Sequence, residues 1–223
     1  VTVKRSRAGR WFVCFSCDAI PAKVYPEAGA AVGIDLGIAT LVTTSAGEKL
    51  GDTRFLKRSL RKLRRVQRHI ARQRRGSHRR RKAVRCLARL HERVADQRRD
   101  MHHKVSTALV QRYGLIGHED ISPAFMLANP RMARAASDAG WSQLLSFLQW
   151  KAAEAGRKIV AVDPYNTSQE CSRCDTLVPK ELTQRVHVCP ACGLRLDRDH
   201  NAARNILQRA QAGLSGANPA IAK

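Results

Sequence analysis

Four cysteines, arranged as Cys171-x2-Cys174 and Cys189-x2-Cys192 with fourteen residues between the pairs, constrain this chain more tightly than any other feature. Each C-x2-C pair sets two thiolates on one tight turn. Two such turns together close a tetrahedral sulfur site suited to Zn²⁺. Gly193 helps the second turn form and Pro190 stiffens it. Four protein ligands leave no open position, so the ion is expected to be structural, stapling a ribbon too short to build a core. His187 offers a substitute ligand, but four thiolates already suffice.

The rest of the chain must fold against its own charge. It carries 41 Lys and Arg against 18 Asp and Glu, a formal net charge of +23 over 223 residues. Such a field is tolerated mainly where a polyanion neutralises it, and nucleic acid is the first candidate. A membrane partner is disfavoured, because no apolar run approaches the roughly 18–20 residues that span a bilayer. No apolar segment follows the basic first residues, so no secretory signal is read. A cytoplasmic, reducing setting at the nucleoid is expected, where cysteines serve as metal ligands or buried thiols. The length suits one mixed core plus a small satellite module.

The positive charge is concentrated. Between Arg54 and Arg99 lie twenty Lys or Arg and only two acids, Glu92 and Asp96. Leu56, Leu60, Leu63, Val66 and Ile70 recur at helical spacing, as do Val84, Leu87, His91 and Val94, and Gly76-Ser77 separates the two runs. The pattern predicts an antiparallel helical hairpin with a narrow apolar seam. Phosphate contacts are expected from Arg58, Arg61, Arg64, Arg65, Arg68, Arg72, Arg75, Arg79, Arg80 and Arg81. Cys86 is expected in the seam.

Elsewhere the reading is of short strands and helices. Residues 1–25 alternate weakly, as a strand or hairpin buried on one side, with Cys14 and Cys17 as buried thiols. Residues 31–50 read as a strand hairpin, and Gly114–Glu119 as a strand after a helix through His102 and His103, to which no metal role is given. A loop containing Pro123 and Pro130 follows. Ala139–Gly156 reads as a helix, Ile159–Val162 as a strand, and Arg198–Gln211 as a final helix. Alternating strands and long helices point to an α/β layered domain.

Three acids stand out in this frame. Asp35 lies in an apolar strand, where a carboxylate is costly unless paired or bound to a cation. Glu119 closes another strand. Asp197 and Asp199 open the last helix, where an acid can equally be a simple N-cap. Carboxylates from separate elements are what a pair of Mg²⁺ ions needs to cleave a phosphodiester. Caps, turn acids and ion pairs with the many arginines are the plainer alternatives. A ribosome-type zinc-ribbon RNA binder would explain the charge and cysteines, but not an acid in an apolar strand.

Taken together, GIDLG at 33–37, Glu119-Asp120-Ile121, the run Thr167–Cys174, Cys189-Pro190-Ala191-Cys192-Gly193 and DRDHNAARNI at 197–206 resemble the TnpB transposon-associated proteins, which are similar to compact type V CRISPR effectors. The resemblance implies an RNase H-like, RuvC-type α/β fold interrupted by a helical hairpin insertion and a zinc ribbon. It implies RNA-guided DNA cleavage, with Mg²⁺ held by Asp35, Glu119 and Asp199 and with Asp197 the alternative for the last position. It also implies DNA and a guide RNA from the flanking locus as partners. The expected layout is 1–30 as the last strands of a wedge-like barrel, 31–53, 100–166 and 197–211 as the nuclease domain, 54–99 as the hairpin, 167–196 as the ribbon and 212–223 as a flexible tail. Two departures are noted. The N-terminal part is shorter than in family members, so guide binding or target selection is expected to be lost or supplied otherwise. Gly117-His118 replaces the usual apolar pair and is expected to loosen the strand bearing Glu119.

Overall fold

The computed structural model describes residues 1–17, 19, 24–121, 133–181 and 183–215. Its centre is a five-stranded mixed sheet in the order β5-β4-β3-β6-β7. The strands are β3 (Ala31–Leu36), β4 (Thr40–Thr44), β5 (Lys49–Asp52), β6 (Leu115–Glu119) and β7 (Lys158–Val162). β3, β4 and β5 form an antiparallel meander, whereas β3, β6 and β7 run parallel. The hairpin read over residues 31–50 is therefore present.

Between the sheet segments lie α1 (Phe55–Ala71), α2 (His78–Arg112), α3 (Ala133–Ala139) and α4 (Trp141–Glu154), and α5 (Arg198–Ser215) closes the described chain. Strand alternation divides the residues between two helical layers. Val32, Ile34, Leu36 and Ile116 face one way and share a core with Val105, Leu109 and Val110 of α2 and Leu144, Leu148 and Ala152 of α4. On the opposite face Val160 and Val162 pack with Ile206 and Ala210 of α5. The result is a three-layered α/β/α arrangement.

Two glycines let α5 lie almost on the backbone of the sheet. A Cβ on Gly33 would run into the Ala203 carbonyl and approach Leu207 N to 2.5 Å, and one on Gly117 would meet Ala210 Cβ at 2.7 Å. Gly117 does not loosen its strand as expected. β6 is central, paired on both sides, and buried His118 turns its Nδ1 to the Glu119 carbonyl at 2.8 Å.

α1 and α2 form the basic hairpin. Gly76, with φ +80, makes the turn, and Ser77 caps α2 by accepting from Arg80 N at 3.2 Å. Leu63, Ile70, Ala83 and Val94 are buried, while Val84 and His91 are exposed. The α2 seam thus keeps the predicted Leu87 and Val94, but Ala83 and Leu90 take the places read for Val84 and His91. Cys86 is exposed rather than buried in the seam. α2 continues unbroken past residue 99, so one rod joins the hairpin to the sheet layer. His102 is a buried strut within it, contacting the Ala139 carbonyl at 2.9 Å and Gln143 at 3.1 Å, and His103 stacks on Phe147.

α1 has no capping side chain of its own. Buried Asp138, from α3, accepts from Leu56 N at 2.9 Å and from Arg98 of α2 at 3.2 Å. One carboxylate therefore fastens both hairpin helices to the layered domain. α3 falls where a loop was predicted.

β1 (Thr2–Arg5) and β2 (Trp11–Cys14) pair as a hairpin whose strands are exposed on both faces. Trp11 is 64% and Phe15 73% exposed. The expected hairpin is present, but its expected one-sided burial is not, and both Cys14 and Cys17 are exposed. No described layer covers either face; the hairpin touches α2 through buried Ala8 and the Arg10 ion pairs with Glu92 at 3.1 Å and Asp96 at 2.5 Å. Among the described helices, none is long and apolar enough to cross a membrane. The tail from 216 onward lies outside the described residues, while 212–215 are helical.

Candidate functional site: three carboxylates beside a four-cysteine cluster

Parallel pairing sets the first two acids side by side. Ile34 is level with His118, so the next step puts Asp35 level with Glu119 at the carboxyl ends of β3 and β6. Asp35 and Glu119 follow Gly33 and Gly117 by two residues, so all four project towards α5. The glycines admit the helix, and the acids meet its first turn. Crevices outside the carboxyl ends of parallel strands are where α/β sheets bind ligands.

The third acid arrives with α5. Asp197 Oδ1 accepts from Asp199 N at 2.9 Å and from His200 N at 3.4 Å, so Asp197 is the N-cap and Asp199 sits inside the first turn. Asp197 also binds Lys49 at 2.8 Å, and both contacts hold its carboxyl below the usual range although burial opposes them. His200 Nε2 lies 3.0 Å from the Ser45 carbonyl, which pins the turn to the β4–β5 connection. Asp197 is thus the cap, and Asp199 follows it inside the first turn.

Electrostatics place Asp35 beside the other acids. Burial pushes the Asp35 carboxyl well above its ordinary value, and the charges of Glu119, Asp199 and, last, Asp197 push it further, with Arg198 opposing. Burial also raises Glu119, against the hydrogen bond from Thr167 and the charge of Arg209. Arg198 pairs with Asp199 at 3.2 Å. The cluster is an excess of negative charge in a confined place, which a cation would relieve. Its three carboxylates do not all come within 4.8 Å of one another; among the described residues the four cysteines are the group of three or more that does.

Those cysteines are gathered as the spacing predicts. Cys171 and Cys192 have Sγ atoms 3.5 Å apart, and Cys174 and Cys189 lie 3.6 Å apart. Tetrahedral sulfurs around Zn²⁺ at about 2.3 Å would be roughly 3.8 Å apart, so the donors suit that ion. The two turns are alike: Asp175 N donates to the Cys171 carbonyl at 2.9 Å and Gly193 N to the Cys189 carbonyl at 3.0 Å. Asp175 and Gly193 both have positive φ, 57 and 71. The cluster packs on Leu194, and β8 (Val186–Val188) pairs with β9 (Arg195–Asp197), which runs directly into α5. The cysteine module therefore sets where Asp199 stands. His187 is not a ligand; it is buried against Lys180 through Nδ1.

Four further residues have contacts that a sequence reading does not give, although Thr167, Asn201 and Asn205 lie within the quoted motifs. Thr167 donates from Oγ1 to Glu119 Oε1. Asn201 and Asn205, both buried, tie α5 to the chain entering the cysteine module through the Glu170 carbonyl and Ser172 N. Arg209 donates to the carbonyls of Asp163 and Tyr165 at 2.7 and 2.8 Å. Their partners lie some thirty or more residues away, so no local pattern announces them.

Of the ten arginines predicted to contact phosphate, all but Arg80 are exposed on the hairpin. Arg58 pairs with Asp52. Arg80 donates to the Ile70 carbonyl at 2.7 Å and closes the C-terminus of α1, a structural task.

Comparison with known proteins agrees with this architecture. Residues 14–129 match the OrfB_IS605 family model, described as a probable transposase, and residues 141–206 match the Cas12f1-like TNB domain. A "Putative RNA-guided DNA endonuclease" of Streptomyces pristinaespiralis is 44% identical over 211 residues, covering 93% of this chain and 52% of the relative. A "Putative RNA-guided DNA endonuclease InsQ" of Escherichia coli K12 is 34% identical, covering 96% and 57%. The chain thus spans about half the length of these relatives. The cryo-EM structure of a Cas12f1–sgRNA–target DNA complex superposes with a TM-score of 0.54 at 17% identity, over 92% of this chain and 55% of that one.

Proposed function

The chain belongs to the OrfB_IS605 family of probable transposases, and from that premise we propose that it acts as an RNA-guided DNA endonuclease of RuvC type. One observation carries the reading: two carboxylates stand level on neighbouring parallel strands, on the face where a glycine-seated helix delivers a third. Asp35, Glu119 and Asp199 would hold a pair of Mg²⁺ ions, which supply an activated water and stabilise the leaving oxygen of a phosphodiester. The chain's own residues do the rest. Asp197 caps the helix so that Asp199 stays in place, and Arg198 tempers the negative charge of the cluster. Cys171, Cys174, Cys189 and Cys192 would hold one structural Zn²⁺, and the exposed arginines of α1 and α2 would neutralise phosphates of guide RNA or its heteroduplex with DNA. The guide would come from the flanking locus, and the working place would be the cytoplasm at the nucleoid.

A second reading, nucleic-acid binding without useful catalysis, is favoured by the engaged state of the acids: Thr167 occupies Glu119 and Arg198 occupies Asp199. Co-expression with RNA from the flanking locus, followed by incubation with labelled DNA and Mg²⁺, separates the two. Guide-dependent scission supports the nuclease. Salt-sensitive RNA binding with no scission at any Mg²⁺ concentration would establish the second reading instead.

A further inference from the structure

The geometry points to Thr167 as a positioning residue for Glu119, one that fixes the carboxylate for cation binding; this rests on the proposed nuclease reading. Thr167 is 3% exposed, and its hydroxyl donates to Glu119 Oε1. The hydrogen bond fixes Oε1, and the second oxygen accepts none among the described contacts. A strand-end glutamate has three rotatable bonds, and a charge-assisted hydrogen bond from a fixed hydroxyl removes most of that freedom.

The hydroxyl is fixed because its backbone is fastened from α5. Asn205 Nδ2 donates to the Thr167 carbonyl and to the Glu170 carbonyl, each at 2.8 Å. Arg209 holds the Asp163 and Tyr165 carbonyls, and Asn201 holds Glu170 O and Ser172 N. Asn166, with φ +58, turns the chain tightly just before Thr167. The helix that delivers Asp199 thereby also sets the residue that orients Glu119, and the same asparagines hold the approach to Cys171. Outer-shell partners of ligating carboxylates commonly have this role. The plain alternative is a loop hydroxyl satisfied by the Pro164 carbonyl, 3.1 Å away.

The test is Mn²⁺ binding, read as free Mn²⁺ by electron paramagnetic resonance, on the full zinc-loaded chain without nucleic acid. Thr167→Val removes the hydroxyl at nearly constant shape and is expected to weaken Mn²⁺ binding by about tenfold or more, whereas Thr167→Ser should stay within about twofold of wild type. Zinc content should be unchanged in both, and both should remain folded, with the valine variant melting a few degrees lower (roughly 2–6 °C). Equal Mn²⁺ affinity in the valine variant would overturn the positioning role, as would a weakening that serine does not rescue. Thr167→Ala, which cannot crowd the site, carries the measurement if the valine variant does not fold. Asp35→Ala is the reference: if wild type binds Mn²⁺ no better than this variant, the carboxylate reading itself fails and takes the Thr167 role with it.

Discussion

Asp138→Ala should be among the most destabilising single substitutions outside the candidate site, and its cost can be worked from its contacts. The carboxylate, buried in α3, receives Leu56 N at 3.1 and 2.9 Å on its two oxygens and Arg98 at 3.2 Å. Removing it uncaps α1, which has no cap of its own, at about 1 kcal/mol. It also strips the partner from a guanidinium only 24% exposed, whose Nε is already buried without a hydrogen bond among the described residues, at about 2 kcal/mol. The sum is about 3 kcal/mol, or a fall in melting temperature of roughly 6–12 °C for a chain of this size. Asp138→Asn keeps an acceptor for the helix end but not the ion pair, and should cost about two thirds as much. Thermal and urea unfolding of the zinc-loaded protein measure both. An alanine variant within about 1 kcal/mol of wild type, or an asparagine variant as damaging as alanine, would refute the trans-capping account.

Three other outcomes are expected. Because Asp35 is raised above its unfolded value, the folded protein holds a proton that the unfolded chain has released; without cation, stability should therefore fall as pH climbs from about 4 through the raised value. Asp35→Asn should reduce that fall, and urea midpoints of the zinc-loaded protein at mildly acidic and neutral pH, with no Mg²⁺ added, check it. Gly33→Ala forces a methyl into the α5 backbone and should cost about 3 kcal/mol, whereas Gly76→Ala, with open space around it and φ +80, should cost about 1 kcal/mol, both read by urea unfolding. Zinc content should be one per chain and fall to zero in Cys189→Ser, with hydrogen exchange rising first in the module around β8 and β9.

The sequence made the periodic and the chemically odd features legible. Asp35 is visible because an acid in an apolar strand has no cheap explanation, and the four cysteines because their spacing has only one common use. What depended on layers was not legible. Nothing in WFVC says that no helix covers β2, so Cys14 and Cys17 were placed inside when they lie outside. Gly117 reads as a weak strand residue until α5 is seen lying on it. Val84 and His91 fit a helical period as well as Ala83 and Leu90 do, and only packing against α1 selects the phase. Thr167 reaches Glu119, Asn205 reaches Thr167 and Asp138 reaches Arg98, each 38 or more residues away and beyond any local pattern.

The central claim is that Asp35, Glu119 and Asp199, and not Asp197, form the reacting site. The most direct test is the rate of guide-dependent DNA cleavage in Mg²⁺ for alanine variants at all four positions, each checked for zinc content and RNA binding. The account predicts that the first three abolish scission while RNA binding persists, and that Asp197→Ala, which loses a cap worth about 1 kcal/mol, still cuts. Full-rate cleavage by Asp35→Ala, or a dead Asp197→Ala beside an active Asp199→Ala, would contradict it.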